Sequence, residues 1–502
     1  MNHRGPFPAH PPRRSRGWPG MHRRAVLAAG ALALAGCAAG PDWRRPPAPA
    51  ADRYTAGAAP SVTAAAGVPL GEAQRLVAGA SPEAQWWRGL RSARLDALVE
   101  EALQASPTLE AASATLRQAQ ETLAARTGAT VYPQADVAAG VQRQHINGAP
   151  LGQSGAERTF ELYTATLGAA WDPDLAGGNR RTLEALAAQV EHQRYQREAS
   201  RLALAGNVAS TAIVQAKWAA QLQAGEAIVA AQAGQVDITR RRLALGAASH
   251  EDLLALEAQL AQARAQLPAL RGRLAQADHL LAVLLGRAPA EDATPRFALA
   301  EFGLPADLPL RLPSELVRRR PDIRASEALM HAANAQHGAA LARLYPRITL
   351  SASLGSQALA GSALFGAGSM AWGLAGQLAQ PLFQPGLPAE ARAAEAGFEA
   401  AAANYRQTVL QALRGVADVL RALEHDAQAL AAQADADAAA QASLASIRRR
   451  HELGVASYLQ LLVAEQQAQQ ARLDLIATQA QRLLDSVALY QAMGGSALDG
   501  DG

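Results

Sequence analysis

RRRHELGVASYLQLL, Arg448 to Leu462, reads as the end of one helix, a tight turn and the start of another. RRRLALGAASHEDLL, Arg240 to Leu254, says nearly the same thing earlier in the chain. The offset is 448 − 240 = 208, and at that offset Leu245, Gly246, Ala248, Ser249, Leu253, Leu254, Glu257, Gln259 and Arg264 all meet identical residues. In both copies a glycine, Gly246 or Gly454, follows the outgoing helix, where a left-handed residue ends it. A serine, Ser249 or Ser457, then caps the incoming helix. Three residues on stand Asp252 and Gln460: Ser-x-x-Gln fits a capping box and Ser-x-x-Asp approximates one. Each copy predicts a sharp helical hairpin whose tip follows three arginines, Arg242 and Arg450 being the last of each triplet. A plain capped turn with a solvated basic rim explains the same residues, so the tips alone do not name a partner.

Outward from the tips, the chain makes two passes through one plan. Pro107 opens a helical stretch that closes near Tyr132-Pro133, and Pro321 opens another that closes at Tyr345-Pro346. Proline suits a first helical turn and blocks continuation, so it punctuates both ends. After each Tyr-Pro comes period-two alternation: Ala135, Val137, Ala139 and Val141 in the first pass, Ile348, Leu350, Ala352 and Leu354 in the second. These predict strands at about 131–145 and 346–357, each followed by a Gly-rich loop and a second strand, at about 159–172 and 370–380. Long helices come next. Asn179 to Leu245 spans about 100 Å as a helix. Val409, Leu413, Val416, Leu420, Leu423, Ala427 and Leu430 form a heptad seam, and the return helix shows Leu462, Gln466, Gln469, Leu473, Ile476, Ala480, Leu483, Val487 and Tyr490 at the same steps. The fold class is mainly α with a membrane β part, in duplicated helix-strand-strand-long helix-helix units. Helix lengths suggest that 249–285 and 107–130 stack end to end beside 179–245.

The net charge of +3 misleads. Residues 1–36 hold six arginines and no acid, and removing those six leaves −3, so nothing supports a nucleic-acid partner. The single cysteine, Cys37, follows Arg23-Arg24, an apolar run from Ala25 to Leu34, and Leu34-Ala35-Gly36. About ten apolar residues are too few to cross a bilayer and suit a signal peptide. Leu-Ala-Gly-Cys resembles a bacterial lipobox, whose cysteine carries a diacylglycerol and an N-acyl chain; no other cofactor is expected. The expected partition is a signal peptide over 1–36 with Met21 as the true start, a lipidated linker without a core over 37–80, repeats over 81–300 and 301–495, and a tail over 496–502. Order is expected to begin near Trp86-Trp87. The absence of aspartate after Cys37 favours the outer membrane.

Four strands of barrel length cannot close a membrane barrel, and open edges are not tolerated in lipid. If the strands enter a membrane, the chain must oligomerise. A small soluble sheet under helices, within a coiled-coil scaffold, is the rival reading. An enzyme is not expected: His-Glu-x-x-His, Gly-x-x-x-x-Gly-Lys, paired cysteines and Gly-x-Ser-x-Gly are all missing from the sequence, and no metal site is expected. His250 and His451 are expected to face solvent.

GPDWRRP (Gly40–Pro46), QWWRGLRSARLDALVEEAL, LPSELVRRRPDIRASE, LYPRITLSASLG and LYQAMGG together resemble the outer-membrane factors, TolC-like efflux lipoproteins of the NodT type. The resemblance covers nearly all of the mature chain. It implies a homotrimer whose strands form a 12-stranded outer-membrane β-barrel continuous with a periplasmic α-helical barrel. It further implies an exit duct for small molecules such as drugs, a periplasmic adaptor at the tips (Arg242, Gly246, Ser249, Arg450, Gly454, Ser457), and an inner-membrane transporter of the resistance-nodulation-division class. Asp252 and Leu459 match positions where relatives constrict the periplasmic end; Val463 stands where relatives often carry an aspartate. A type I secretion duct or a heavy-metal pump remains the alternative within the resemblance.

Overall fold

The computed structural model describes residues 38–48, 51–57, 61–147, 157–291 and 295–495. The leader, Cys37 and the tail lie outside the described residues. The chain divides into two compact units: Met1–Asp42 with Arg126–Glu184 and Asn334–Glu395, and Trp43–Ala125 with Ala185–Ala333 and Ala396–Gly502.

The first unit holds the membrane-type sheet. Strands β2 (Gln134–Asn147), β3 (Glu157–Trp171), β5 (Arg347–Ala358) and β6 (Met370–Ala379) pair antiparallel in the order β2-β3-β5-β6. The expected strands are present within a few residues of the expected bounds. Register carries apolar residues straight across the sheet. Val137 faces Leu167, Leu167 faces Leu354, and Leu354 faces Trp372. Ala135, Ala169, Ala352 and Leu374 form the next row. Because successive side chains alternate, the rows between fall on the other face: Asp136, Gly168, Ser353 and Gly373, then Ala138, Thr166, Gly355 and Ala371. The apolar face is open in the single chain, with Val137 79% and Trp372 71% exposed. Gly355 is required by its neighbour, since a Cβ there would sit 2.4 Å from the Ala165 carbonyl oxygen.

The second unit is helical. Helix α1 (Ala93–Ala105) leads into α2 (Pro107–Val131). Helix α3 (Gly178–Ala244) and α7 (Gly386–Glu452) are 67 residues each, and the return helices α4 (His250–Leu284) and α8 (Tyr458–Ala492) are 35 each. Both pairs are displaced by 208 at each end (386 − 178 and 458 − 250), so the duplication read from the tips extends through both hairpins. Along α3, Arg197 meets Ser113 of α2, Gln215 meets Asp278 of α4, Glu226 meets Arg271 and Arg240 meets Glu257. Helices α4 and α2 thus line successive stretches of α3. They abut where Gly286 (φ +74°) sits against the Ala105 carbonyl and Pro107. The expected stacking is borne out.

In the second repeat, α5 (Pro313–Arg319) and α6 (Pro321–Ala342) precede the sheet's second hairpin, and Val317, Ile323 and Met330 pack on Tyr405, Val409 and Ala412 of α7. The heptad seam of α7 is buried from Val416 to Leu430, with Leu413 half-buried. On α8 the expected stripe holds from Ile476 to Tyr490. Nearer the tip it is wrong: Leu461, Ala464, Ala468, Ala471 and Leu475 are buried instead of Leu462, Gln466, Gln469 and Leu473. Gln433 and Gln441 of α7 reach across to the Ala471 and Ala468 carbonyls.

The linker expected over 37–80 is corrected over its second half. Strand β1 (Arg75–Ala78) pairs parallel with β4 (Asp307–Leu310), Val62 bridges to Arg75, and Leu70 and Gln74 are buried. Four residues of strand and one buried leucine are too short a pattern to read as period two. The arm is also tied earlier. Arg181 bonds Asp42 within the first unit, while Arg45 bonds both Glu327 oxygens and Trp43 stacks on His331 within the second.

Candidate functional site: the paired hairpin tips

Both tips close by one backbone device. Gly246 and Gly454 have φ of +71° and +73°. The Ala247 N–H donates to the Arg242 carbonyl at 2.7 Å and the Val455 N–H to the Arg450 carbonyl at 2.8 Å; Gly246 and Gly454 donate to Leu243 and His451. This pair of bonds satisfies the last carbonyls of each helix. Arg242 and Arg450 thus serve the turn through their carbonyls, while their side chains are exposed.

Each incoming helix starts with a complete capping box. Ser249 Oγ accepts the Asp252 N–H and Asp252 Oδ2 accepts the Ser249 N–H. Ser457 Oγ accepts the Gln460 N–H and Gln460 Oε1 accepts the Ser457 N–H. Aspartate, expected only to approximate the box, completes it. The leading arginine of each triplet crosses its hairpin at equivalent positions: Arg240 to Glu257 at 2.9 Å and Arg448 to Glu465 at 3.3 Å.

Within one chain the two hairpins pack on each other through Val236, Leu253, Leu256 and Leu260, with Tyr458 and Leu462 against them. Here the sequence reading missed three residues. Gln235 of α3 donates to Glu465 of α8, which joins the hairpins, and the Tyr458 hydroxyl is buried at the same junction without a hydrogen bond. Burial, with Glu465 and Asp252 nearby, pushes the Tyr458 hydroxyl far above its ordinary range. The available signal was a break in the repeat, because the equivalent of Tyr458 is His250. His451 is a correction: its Nδ1 meets the Ala456 carbonyl at 3.1 Å and its ring lies beside Tyr458, so it belongs to the turn. His250 is exposed, as expected.

Leu459 is 69% exposed. With Ile447 and Val463 it lines a groove of about 300 Å³ on the second hairpin. Asp252 is half-buried, on the first hairpin, and its carboxylate is engaged in the cap. The structure therefore does not bring Asp252 and Leu459 into one contact. Among the described residues no cluster of metal-ligating side chains occurs, and no helix is long and apolar enough to cross a membrane.

An exposed apolar sheet face and a duplicated pair of capped coiled hairpins define a class, the channel whose strands meet lipid and whose helices extend from them. The chain belongs to the outer membrane efflux protein family, whose model matches residues 98–287 and 312–495. It is 30% identical over 485 residues to the probable efflux pump outer membrane protein TtgC of Pseudomonas putida, covering 93% of this chain and 94% of that one. It is also 30% identical over 428 residues to the pyoverdine export outer membrane protein OpmQ of the same species, covering 83% of this chain and 89% of that one. Among solved structures it matches the outer-membrane channel OprN with a TM-score of 0.80 and 28% identity, covering 92% of this chain and 99% of that one. VceC of Vibrio cholerae matches with a TM-score of 0.76 and 28% identity, covering 83% and 99%. The protein is an outer-membrane efflux channel subunit, and the family is one of ducts rather than of enzymes.

Proposed function

We propose that three copies of this chain assemble into the exit duct of a tripartite pump that exports small toxic molecules, anchored also by acyl chains on Cys37. The observation that carries this reading is the sheet. Its apolar rows are open to solvent in the single chain, and among the described residues the outer edges of β2 and β6 have no partner strand. Three sheets of four strands close into twelve with no free edge, apolar outside and small or polar within. Helix α2, which buries none of its 25 residues in the single chain, supplies a surface for the neighbouring copy. Relatives named for toluene, antibiotic and pyoverdine export support a cargo of small amphiphiles or siderophores.

At the opposite end of the hairpins, Leu459 constricts the closed duct and Asp252 holds the first hairpin's start in place. The Gly246 and Gly454 turns receive a periplasmic adaptor, which links the duct to an inner-membrane transporter of the resistance-nodulation-division class. Conductance of single channels in planar bilayers tests the gate: Leu459→Ala raises it several-fold, and Asp252→Ala raises the frequency of opening. Unchanged traces for both variants would reduce these residues to packing and capping. Cysteines placed at Ala248 and Ala456 are expected to cross-link the adaptor, and failure at both would remove the docking assignment.

A further inference from the structure

The arm and α8 meet over a buried polar cluster that the duct does not call for. Arg482 of α8 is fully buried, as is Gln74 of the arm. Arg482 Nη2 donates to Gln74 Oε1 at 2.9 Å, to the Glu72 carbonyl at 3.2 Å and to Thr63 Oγ1 at 3.3 Å. Gln74 Nε2 in turn donates to Ser486 Oγ and to the Pro305 carbonyl, and Thr63 Oγ1 accepts the Gln74 N–H. One guanidinium nitrogen thus makes three of the arm's bonds to α8, beside those of Gln74 with Ser486 and of Gln479 Nε2 with the Pro69 carbonyl. Among the described residues, Nε and Nη1 of the same side chain donate to no acceptor.

One helical turn on lies Asp485, 3% exposed. Its Oδ1 accepts from Gln481 Nε2 at 2.8 Å; its Oδ2 has no N–H donor among the described residues, and the Asp426 carboxyl stands within hydrogen-bonding reach of the Asp485 carboxyl. Asp426, half-buried on α7, is the second carboxyl acting on it. The charges around the cluster are Arg482 and Asp485 on α8, Asp426 on α7 and Glu72 on the arm, whose side chain is exposed to water. One cation faces two carboxyls inside the cluster. The count balances only while the Asp485–Asp426 pair keeps one proton, and a buried unbalanced charge is costly.

We propose that Arg482 is contested between the arm and Asp485, so that loss of the Asp485 proton draws the guanidinium off Thr63, Glu72 and Gln74 and frees residues 61–78 from α8. Residues 482 and 485 stand at i, i+3 on one helix face, within reach of such a pairing. Burial pushes the Asp485 carboxyl up to about 7, and neighbouring Asp426 adds to the rise. The docked arm therefore binds the proton more tightly than the freed arm does. Docking is favoured at low pH, weakens as pH rises toward about 7, and changes no further above it.

Hydrogen exchange of the full-length protein in detergent, corrected for intrinsic rates, reads this directly. The reporter is the buried Gln74 amide, which bonds Thr63 Oγ1, the same oxygen that accepts from Arg482. Protection is expected to fall about tenfold or more between about pH 5.5 and about pH 8. Asp485→Asn should keep the low-pH protection at both values, and Asp426→Asn should move the wild-type midpoint to lower pH. Equal protection of the wild type at both pH values, a drop that survives in Asp485→Asn, or an unmoved midpoint in Asp426→Asn would overturn the proposal.

Discussion

Glu257 and Glu465 occupy equivalent places in the two repeats and answer equivalent arginines, Arg240 and Arg448, yet their surroundings separate them. Glu257 is 42% exposed and Arg240 56%, so water and salt screen the pair. Glu465 is only 10% exposed and is also held by Gln235 across the hairpins. Glu257→Gln is expected to change tip stability by less than about 0.5 kcal/mol. Glu465→Ala is expected to cost about 1–3 kcal/mol, because it strands Gln235 at a buried junction. Exchange of the α8 amides near Leu461 measures both, and equal losses would contradict the assignment. The capping boxes were legible residue by residue, since Ser-x-x-Asp and Ser-x-x-Gln state their own geometry. The Gln235–Glu465 contact was not: it joins residues 230 apart, and neither belongs to a local pattern.

At the scale of elements, the four strands and two long hairpins were readable because each repeats a simple period. The tip half of α8 was misread for a physical reason. Leu462 and Leu473 outweigh alanine on any hydrophobic scale, but Ala464, Ala468 and Ala471 are the buried residues there, while both leucines are half-buried and Leu462 packs against the first hairpin. The arm was misread because its order comes from β4, more than two hundred residues away, rather than from its own composition. The joint between α4 and α2 is a place where one residue governs an element. Gly286 has a left-handed φ and faces the Ala105 carbonyl, 2.5 Å from where a Cβ would stand. Gly286→Ala combines backbone strain with a clash against backbone, and is expected to cost about 2 kcal/mol or more. A lowered temperature of helix melting by circular dichroism checks it; Gly234→Ala, with open space around it, is the control expected to be neutral or slightly stabilising.

For the whole molecule, the decisive fact is what a single chain leaves uncovered. Apolar rows from Val137 to Trp372, two strand edges that are free among the described residues and an α2 without one buried residue are incompatible with a stable monomer in water. Strand length and number already require an oligomer if the strands enter a membrane, and the register places the apolar rows together on one face. Native mass spectrometry of the protein extracted from outer membranes in mild detergent tests it most directly. Three chains per particle are predicted. A single chain per particle that remains folded after the detergent is removed would contradict the account.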